Sequence, residues 1–253
     1  NLALVASHPE AYIGMGLTAE LVAERFDISR EQQDEFSLRS HEKALAAIES
    51  GRFQDEISPI QPSVYAGAHS GGEFAVDEGP RAGSTMEQLA RLRSPFKQGG
   101  SVTAASSSQV SDGAAAVLVM AREKAESLGL TQLGVLRMYS VVGVPPEIMG
   151  VGPAYAIPAV LERTGLGVED IDVFEINEAF ASQAIYCVRE LGIDPEKVNV
   201  NGGAIAIGHP LGCSGARILT TLLHEMRRRD AKRGLAALCV GVGQGVSALV
   251  ERP

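Results

Sequence analysis

The chain has 253 residues, 45% hydrophobic and 21% charged, with a mean hydropathy of +0.07, enough for a substantial core in a soluble globular protein. A net charge of −9 and a pI near 5.1 argue against nucleic acid or an anionic membrane as partner, and no apolar run reaches spanning length. Three widely spaced cysteines (Cys187, Cys213, Cys239), without a CxxC pair, predict neither a disulfide framework nor a metal site and fit a reducing compartment, the cytoplasm first.

Residues 1–100 are polar, helical and loop-rich. A short helix is expected from Thr18 to Phe26. Ser29-Arg-Glu-Gln32 reads as a capping box opening a longer helix, with Phe36, Ala44, Leu45 and Ile48 on one face and Gly51 as its stop. Residues 62–83, rich in Gly, Pro and Ser, read as loop. Ser84-Thr-Met-Glu87 suggests a second capping box, for a helix to Leu92. The apolar run Gly113–Ala121 predicts a strand buried on both faces. Beyond it the pattern alternates. Helix is expected at 122–128, 154–163 and 177–191, and strand at 135–144, 171–176, 198–200, 234–240 and 246–250, the last two forming a hairpin. Strands alternating with helices predict a layered α/β sheet.

Three segments carry chemistry. Asn199–Arg217 sets His209 among Gly202, Gly203, Gly208, Gly212 and Gly215, ahead of a helix expected from Ala216. A His held on such a turn suits a general base or an oxyanion donor; a glycine-rich turn with a surface His is the plainer alternative. Asn177 and Cys239 close strands, and in open α/β sheets sites gather at carboxyl ends of strands. Each has a plain alternative, a helix N-cap for Asn177 and a small buried hydrophobe for Cys239. Cys187 reads as core and Cys213 as packing. His8, His41, His69 and His224 need no special role.

In combination, Asn177-Glu-Ala-Phe-Ala181, the Asn199–Arg217 string and Cys239-Val-Gly241 with Gly243-Gln-Gly245 resemble the thiolase family. The resemblance extends upstream through Ser29-Arg-Glu-Gln-Gln-Asp34, Asp77-Glu-Gly-Pro-Arg81 and Ser111-Asp-Gly-Ala-Ala-Ala116. It implies a layered αβαβα fold, with 1–121 as the remainder of the amino-terminal half, including a coenzyme-covering loop domain at about 8–100, and 122–253 as the carboxyl-terminal half. It implies acyl transfer between a cysteine and coenzyme A: cleavage of a 3-ketoacyl-CoA or the reverse condensation. No covalently bound cofactor is implied; CoA and acyl-CoA are substrates. By position, His209 would activate the nucleophilic thiol, and Cys239 would act as acid/base at the α-carbon. Asn177 would position a water that shares an oxyanion hole with His209. The Gly241 N–H would serve a second hole. Met15, Arg81 and Ser108 match coenzyme contacts, and Phe180 would line the acyl pocket. A homodimer or homotetramer is implied by the resemblance alone.

The resemblance also has gaps. The family's nucleophilic cysteine lies in an Asn-x-x-Cys-x-Ser-Gly segment, and none of the three cysteines has that context. The sequence opens on Asn1, and the expectation is that an amino-terminal segment is missing, whether on this chain or another. Gly241-Val-Gly243 replaces three glycines, Ala104–Ser108 departs from Ala-Gly-Asn-Ala-Ser, and Gly14 stands where some biosynthetic members have His. A non-catalytic acyl-CoA-binding or scaffold subunit is the competing expectation. A β-ketoacyl synthase is disfavoured, since it uses a second His where Cys239 stands. The carboxyl terminus carries no peroxisomal tripeptide, and mitochondrial or peroxisomal residence is left open beside the cytoplasm.

Overall fold

The computed structural model describes residues 1–61 and 73–253. His69 and the first half of the expected 62–83 loop lie outside them. Nine α-helices are described: α1 Leu2–Ser7, α2 Met15–Arg25, α3 Arg30–Glu49, α4 Met86–Ala90, α5 Arg122–Ser127, α6 Gly152–Thr164, α7 Ala181–Glu190, α8 Ala204–Ile207 and α9 Leu211–Arg229. Four strands, β1 Val135–Gly143, β2 Val173–Ile176, β3 Arg233–Val240 and β4 Gln244–Glu251, form one sheet in the order β1-β4-β3-β2. β4 is antiparallel to both neighbours, and β2 runs parallel to β3 with Ile176 opposite Ala237.

Alternation along the buried β2 sorts the sheet faces. Phe174 and Ile176 pack with Leu235, Ala237 and Leu249 against Ile157, Val160 and Leu161 of α6. Val173 packs with Ala236 and Val250 against Ile218, Leu222 and Met226 of α9. Together they form the layered α/β sheet expected from the sequence. A third cluster joins α2 (Val22, Ala23) to Ile148, Val151, Tyr186 and Cys187, so the amino-terminal helices dock on α7. Buried Glu20 of α2 fastens the following loop, accepting bonds from the Ser101 and Val102 amides at 2.8 and 3.0 Å.

Local signals held where they are self-contained. Ser29 and Gln32 form the reciprocal capping box. The second box is one residue later than expected, on Thr85 and Gln88, and its helix ends at Ala90. α2 begins at Met15, three residues before Thr18, and α9 at Leu211, five before Ala216. The expected strand at 198–200 reduces to a single bridge, Val198 to Phe174.

Two larger corrections follow. Residues 114–121 do not form a buried strand: the stretch is irregular, with Leu118 and Val119 78% and 74% exposed. A strand needs a partner, and no described strand lies beside it. The helix expected from Asn177 starts only at Ala181. Residues 177–180 are irregular and pinned by the 106–108 segment instead: the Ser108 amide donates to the Ala179 carbonyl at 3.0 Å, the Ala181 amide donates to the Ser106 carbonyl at 2.9 Å, and Ser107 bridges Phe180. Asn177 is therefore not an N-cap; Phe180 holds that position, without a side-chain bond.

Candidate active site

Asn177 and Cys239 meet because their strands are neighbours. The Asn177 amide donates to the Ala237 carbonyl at 2.9 Å, which sets the side chain beside the end of β3, where Cys239 follows two residues later. Cys239 packs with Met149 and Ala179, and Phe180 closes over them. Both polar atoms of the Asn177 amide are buried without a protein partner among the described residues. An unpaired buried amide is costly, so such a group points to a ligand or water as its complement.

Gln183 was not singled out in the sequence. Its Oε1 accepts from the Ala179 amide at 3.1 Å and from the Cys239 thiol at 3.8 Å, while its Nε2 is a further unpaired buried donor. Burial pushes the Cys239 thiol up to about 12, so this cysteine holds its proton.

His209 follows one helical turn, α8, and precedes α9. Gly208 takes φ +94°, and an added Cβ there would lie 2.2 Å from Ser111 Oγ. The imidazole Nδ1 lies 2.5 Å from Ser214 Oγ, and that hydroxyl donates its single proton to the Pro210 carbonyl at 3.0 Å. With the hydroxyl proton on the Pro210 carbonyl, Ser214 accepts from Nδ1–H and Nε2 is the basic nitrogen. Burial first, and Arg217 second, hold His209 below the usual histidine range, in its neutral form.

One segment ties these elements together. Ser106 and Ser108 bond to the Asn177–Ala181 stretch, and the Gln109 carbonyl accepts from the His209 amide at 3.4 Å. The Gln109 side chain donates to the carbonyls of Gly79 and Ala206 at 3.2 and 3.4 Å. Ser108, expected to contact the coenzyme, is thus tied by its amide to Ala179, two residues after Asn177. Arg81 is anchored by its backbone amide, which donates to His41 Nδ1 at 3.2 Å; its side chain is exposed. His41, assigned no role from the sequence, is this anchor. Met15 is exposed at the start of α2; its neighbour Gly16 packs beneath Phe96, whose ring meets Phe180 edge-on at 6.1 Å. Gly241 lies in the β3–β4 turn, with open space beside its Cα.

Glu178 braces the site from behind. Its buried carboxylate accepts from Ser40 Oγ at 2.7 Å, Asn199 Nδ2 at 2.8 Å and the Ile205 amide at 3.2 Å. Burial raises its pKa against those three bonds. Gly203 admits the carboxylate: a Cβ there would fall 2.2 Å from it. The stretch Ala104–Ser108 and the Glu after Asn177 stood in the quoted motifs, but their partners lie too far along the chain for spacing to reveal.

Asn177 and Cys239 stand at the carboxyl ends of parallel strands, and residues 106–109 tie them to the His209 turn; a neutral base, a protonated thiol and an unpaired amide are groups able to move protons and bind an oxyanion. The comparisons agree on the family. The family model described as "Thiolase, N-terminal domain" matches residues 5–123, and that described as "Thiolase, C-terminal domain" matches 130–252. Peroxisomal 3-ketoacyl-CoA thiolase B of Rattus norvegicus is 58% identical over 247 residues, covering 96% of this chain and 58% of that protein. The dimeric peroxisomal thiolase of Saccharomyces cerevisiae superposes with a TM-score of 0.90 at 51% identity, covering 97% of this chain and 60% of the other. Human mitochondrial 3-ketoacyl-CoA thiolase in complex with CoA gives 0.88 at 40% identity, covering 95% and 59%. The chain belongs to the thiolase family and has its fold; it spans about 58% of the length of the rat relative.

Proposed function

We propose that this chain is the coenzyme-covering and carboxyl-terminal part of an acyl-CoA C-acyltransferase that cleaves 3-ketoacyl-CoA or runs the reverse condensation. Residues 1–121 are the remainder of the amino-terminal half and 122–253 the carboxyl-terminal half. The observation that supports the reading is that Asn177 and Cys239 stand at the ends of the paired strands β2 and β3, while residues 106–109 bond both the stretch after Asn177 and the His209 amide. In cleavage, His209 Nε2 takes the proton of a cysteine thiol supplied by an upstream segment. The thiolate adds to the 3-keto carbon. The C2–C3 bond breaks, its electron pair forming the acetyl-CoA enolate, and the Cys239 thiol protonates C2. A CoA thiol then takes the acyl group. Asn177 with His209, and the Gly241 N–H, stabilise the thioester oxyanions. Met15, Arg81 and Ser108 contact the coenzyme, where a guanidinium fork suits phosphate, and Phe180 walls the acyl chain.

The relatives' names support CoA thioesters as substrates and a dimer as the assembly, with a tetramer the other option. The free cysteines fit a reducing compartment, the cytoplasm, and the peroxisomal relatives are consistent with the peroxisome. Among the described residues, no helix is long and apolar enough to cross a membrane.

A second reading is a non-catalytic acyl-CoA-binding subunit, favoured by all three cysteines being buried with raised pKa values. The test is thiolysis of acetoacetyl-CoA by the purified protein, with every polypeptide weighed under denaturing conditions. Turnover is expected only with polypeptide beyond 26.6 kDa, and His209→Ala should abolish acyl-enzyme formation. Turnover by a lone 26.6 kDa species overturns the upstream nucleophile. CoA binding without turnover, in a sample that holds the upstream cysteine, establishes the second reading.

A further inference from the structure

Gln183, 1% exposed on the first turn of α7, touches the acid/base thiol but takes no part in the chemistry proposed above. It follows an N-cap, Phe180, that makes no side-chain bond, and its own Oε1 secures the helix entry by accepting from the Ala179 amide at 3.1 Å. The same oxygen lies 3.8 Å from Cys239 Sγ, within reach of an S–H donor, and Cys239 is itself buried. Gly150 packs directly against the side chain: a Cβ there would lie 2.6 Å from Gln183 Cβ.

An amide has two ends, and the Ala179 N–H decides which of them faces the sulphur. That backbone group only donates, so it needs Oε1. Turning the amide over would set Nε2–H against the Ala179 N–H and leave the backbone donor unpaired. In the observed orientation Nε2 is buried with no partner among the described residues, so the oxygen is held in place at the cost of one orphan donor. The consequence falls on Cys239. A carbonyl oxygen accepts from a thiol but offers no proton to a thiolate, and a hydrogen bond to the neutral form alone disfavours the charged one.

We propose that Gln183 is a positioning residue for Cys239: its Oε1, locked by the Ala179 amide, holds the thiol proton in place and opposes the thiolate. The inference rests on the proposed acyl-transfer reading only for the use made of that proton. In cleavage the S–H bond breaks as the C2–H bond forms, the enolate supplying the electron pair, and the thiolate left behind faces Oε1. It therefore takes a proton back readily, as the reverse condensation requires of a base at the same carbon. The other groups packed on Cys239 are Met149 and Ala179, with Phe180 beside them, and none carries a charge. Cys187, one turn further along α7, is a titratable neighbour: burial raises its thiol first, and Cys239 second.

The test is alkylation of the whole protein by iodoacetamide at pH 9, with the rate at each cysteine read by peptide mass spectrometry. Only the thiolate reacts, so the rate follows its population. In Gln183→Met, which keeps the length of the side chain and loses the acceptor, Cys239 should react about threefold faster or more, the worth of one net hydrogen bond. Cys187 on the same helix should keep its rate. Gln183→Glu keeps an acceptor for Ala179 and sets a carboxylate beside the sulphur, so Cys239 should react more slowly than in the parent. A folded Met variant whose Cys239 reacts at the parental rate, or whose Cys187 speeds up equally, overturns the inference and makes Gln183 a helix-entry bond alone. Should the Met variant not fold, the Glu variant decides, and a parental or faster Cys239 rate is the overturning result. A shifted Cys239 rate in protein that fails the thiolysis test keeps the inference and sinks the acyl-transfer reading. Thiolysis with an unmoved Cys239 does the reverse.

Discussion

Ser214 decides which nitrogen of His209 is basic, because one hydroxyl proton cannot serve two acceptors and the Pro210 carbonyl takes it. Ser214→Ala should free the ring, lowering turnover of the complete enzyme by up to about tenfold, the worth of one net hydrogen bond. The check is kcat with KM unchanged. A rise in KM alone would show that Ser214 serves binding instead. None of this was legible in the sequence beyond the His209 string itself: Ser214 read as one more small residue of the motif. Asn177 and Cys239 were legible because a strand-ending polar residue is a local signal. Their chemical states were not, since burial by Gln183, Met149 and Phe180 is a property of packing.

At the scale of elements, two glycine positions show how tightly the site is fitted. Gly203→Ala would drive a methyl into the Glu178 carboxylate. The variant should lose about 1–3 kcal/mol, as overpacked sites do, measured by denaturant unfolding at constant m. The β3–β4 turn is the reverse case. Gly243 at φ +90° is required, because a Cβ there would lie 2.1 Å from the Val144 carbonyl, but Val242 beside it takes φ +67° with a branched side chain. Val242→Gly should stabilise the chain by about 1 kcal/mol, the relief of left-handed strain less the added entropy of the unfolded chain. A loss of stability would show that the valine makes compensating contacts. Elements set by neighbouring residues, such as the Ser29 box and the hairpin, were readable from spacing. The stretch 114–121 and the start of α7 were not, because a partner across space decides each.

For the molecule as a whole, the buried carboxylates set a pH dependence. Glu175 has a folded value of about 8, above the unfolded value of 4.5, so the folded state holds the extra proton between them. Its contribution is fully favourable below pH 4.5 and is lost as pH rises through 8. Glu175→Gln should therefore leave stability little changed at pH 5 and raise it progressively from there to about pH 8, by at most about 5 kcal/mol at pH 9. Paired unfolding curves at the two pH values check this; an equal effect at both would place the carboxyl near its ordinary value. The segment around Gln109 has a different consequence, kinetic rather than energetic. It joins Gly79, Ala206 and His209, which are 30 to 100 positions away along the chain. Closing such long loops costs entropy before any contact rewards it, so the pocket should be among the last parts of the molecule to assemble on refolding and among the first to open.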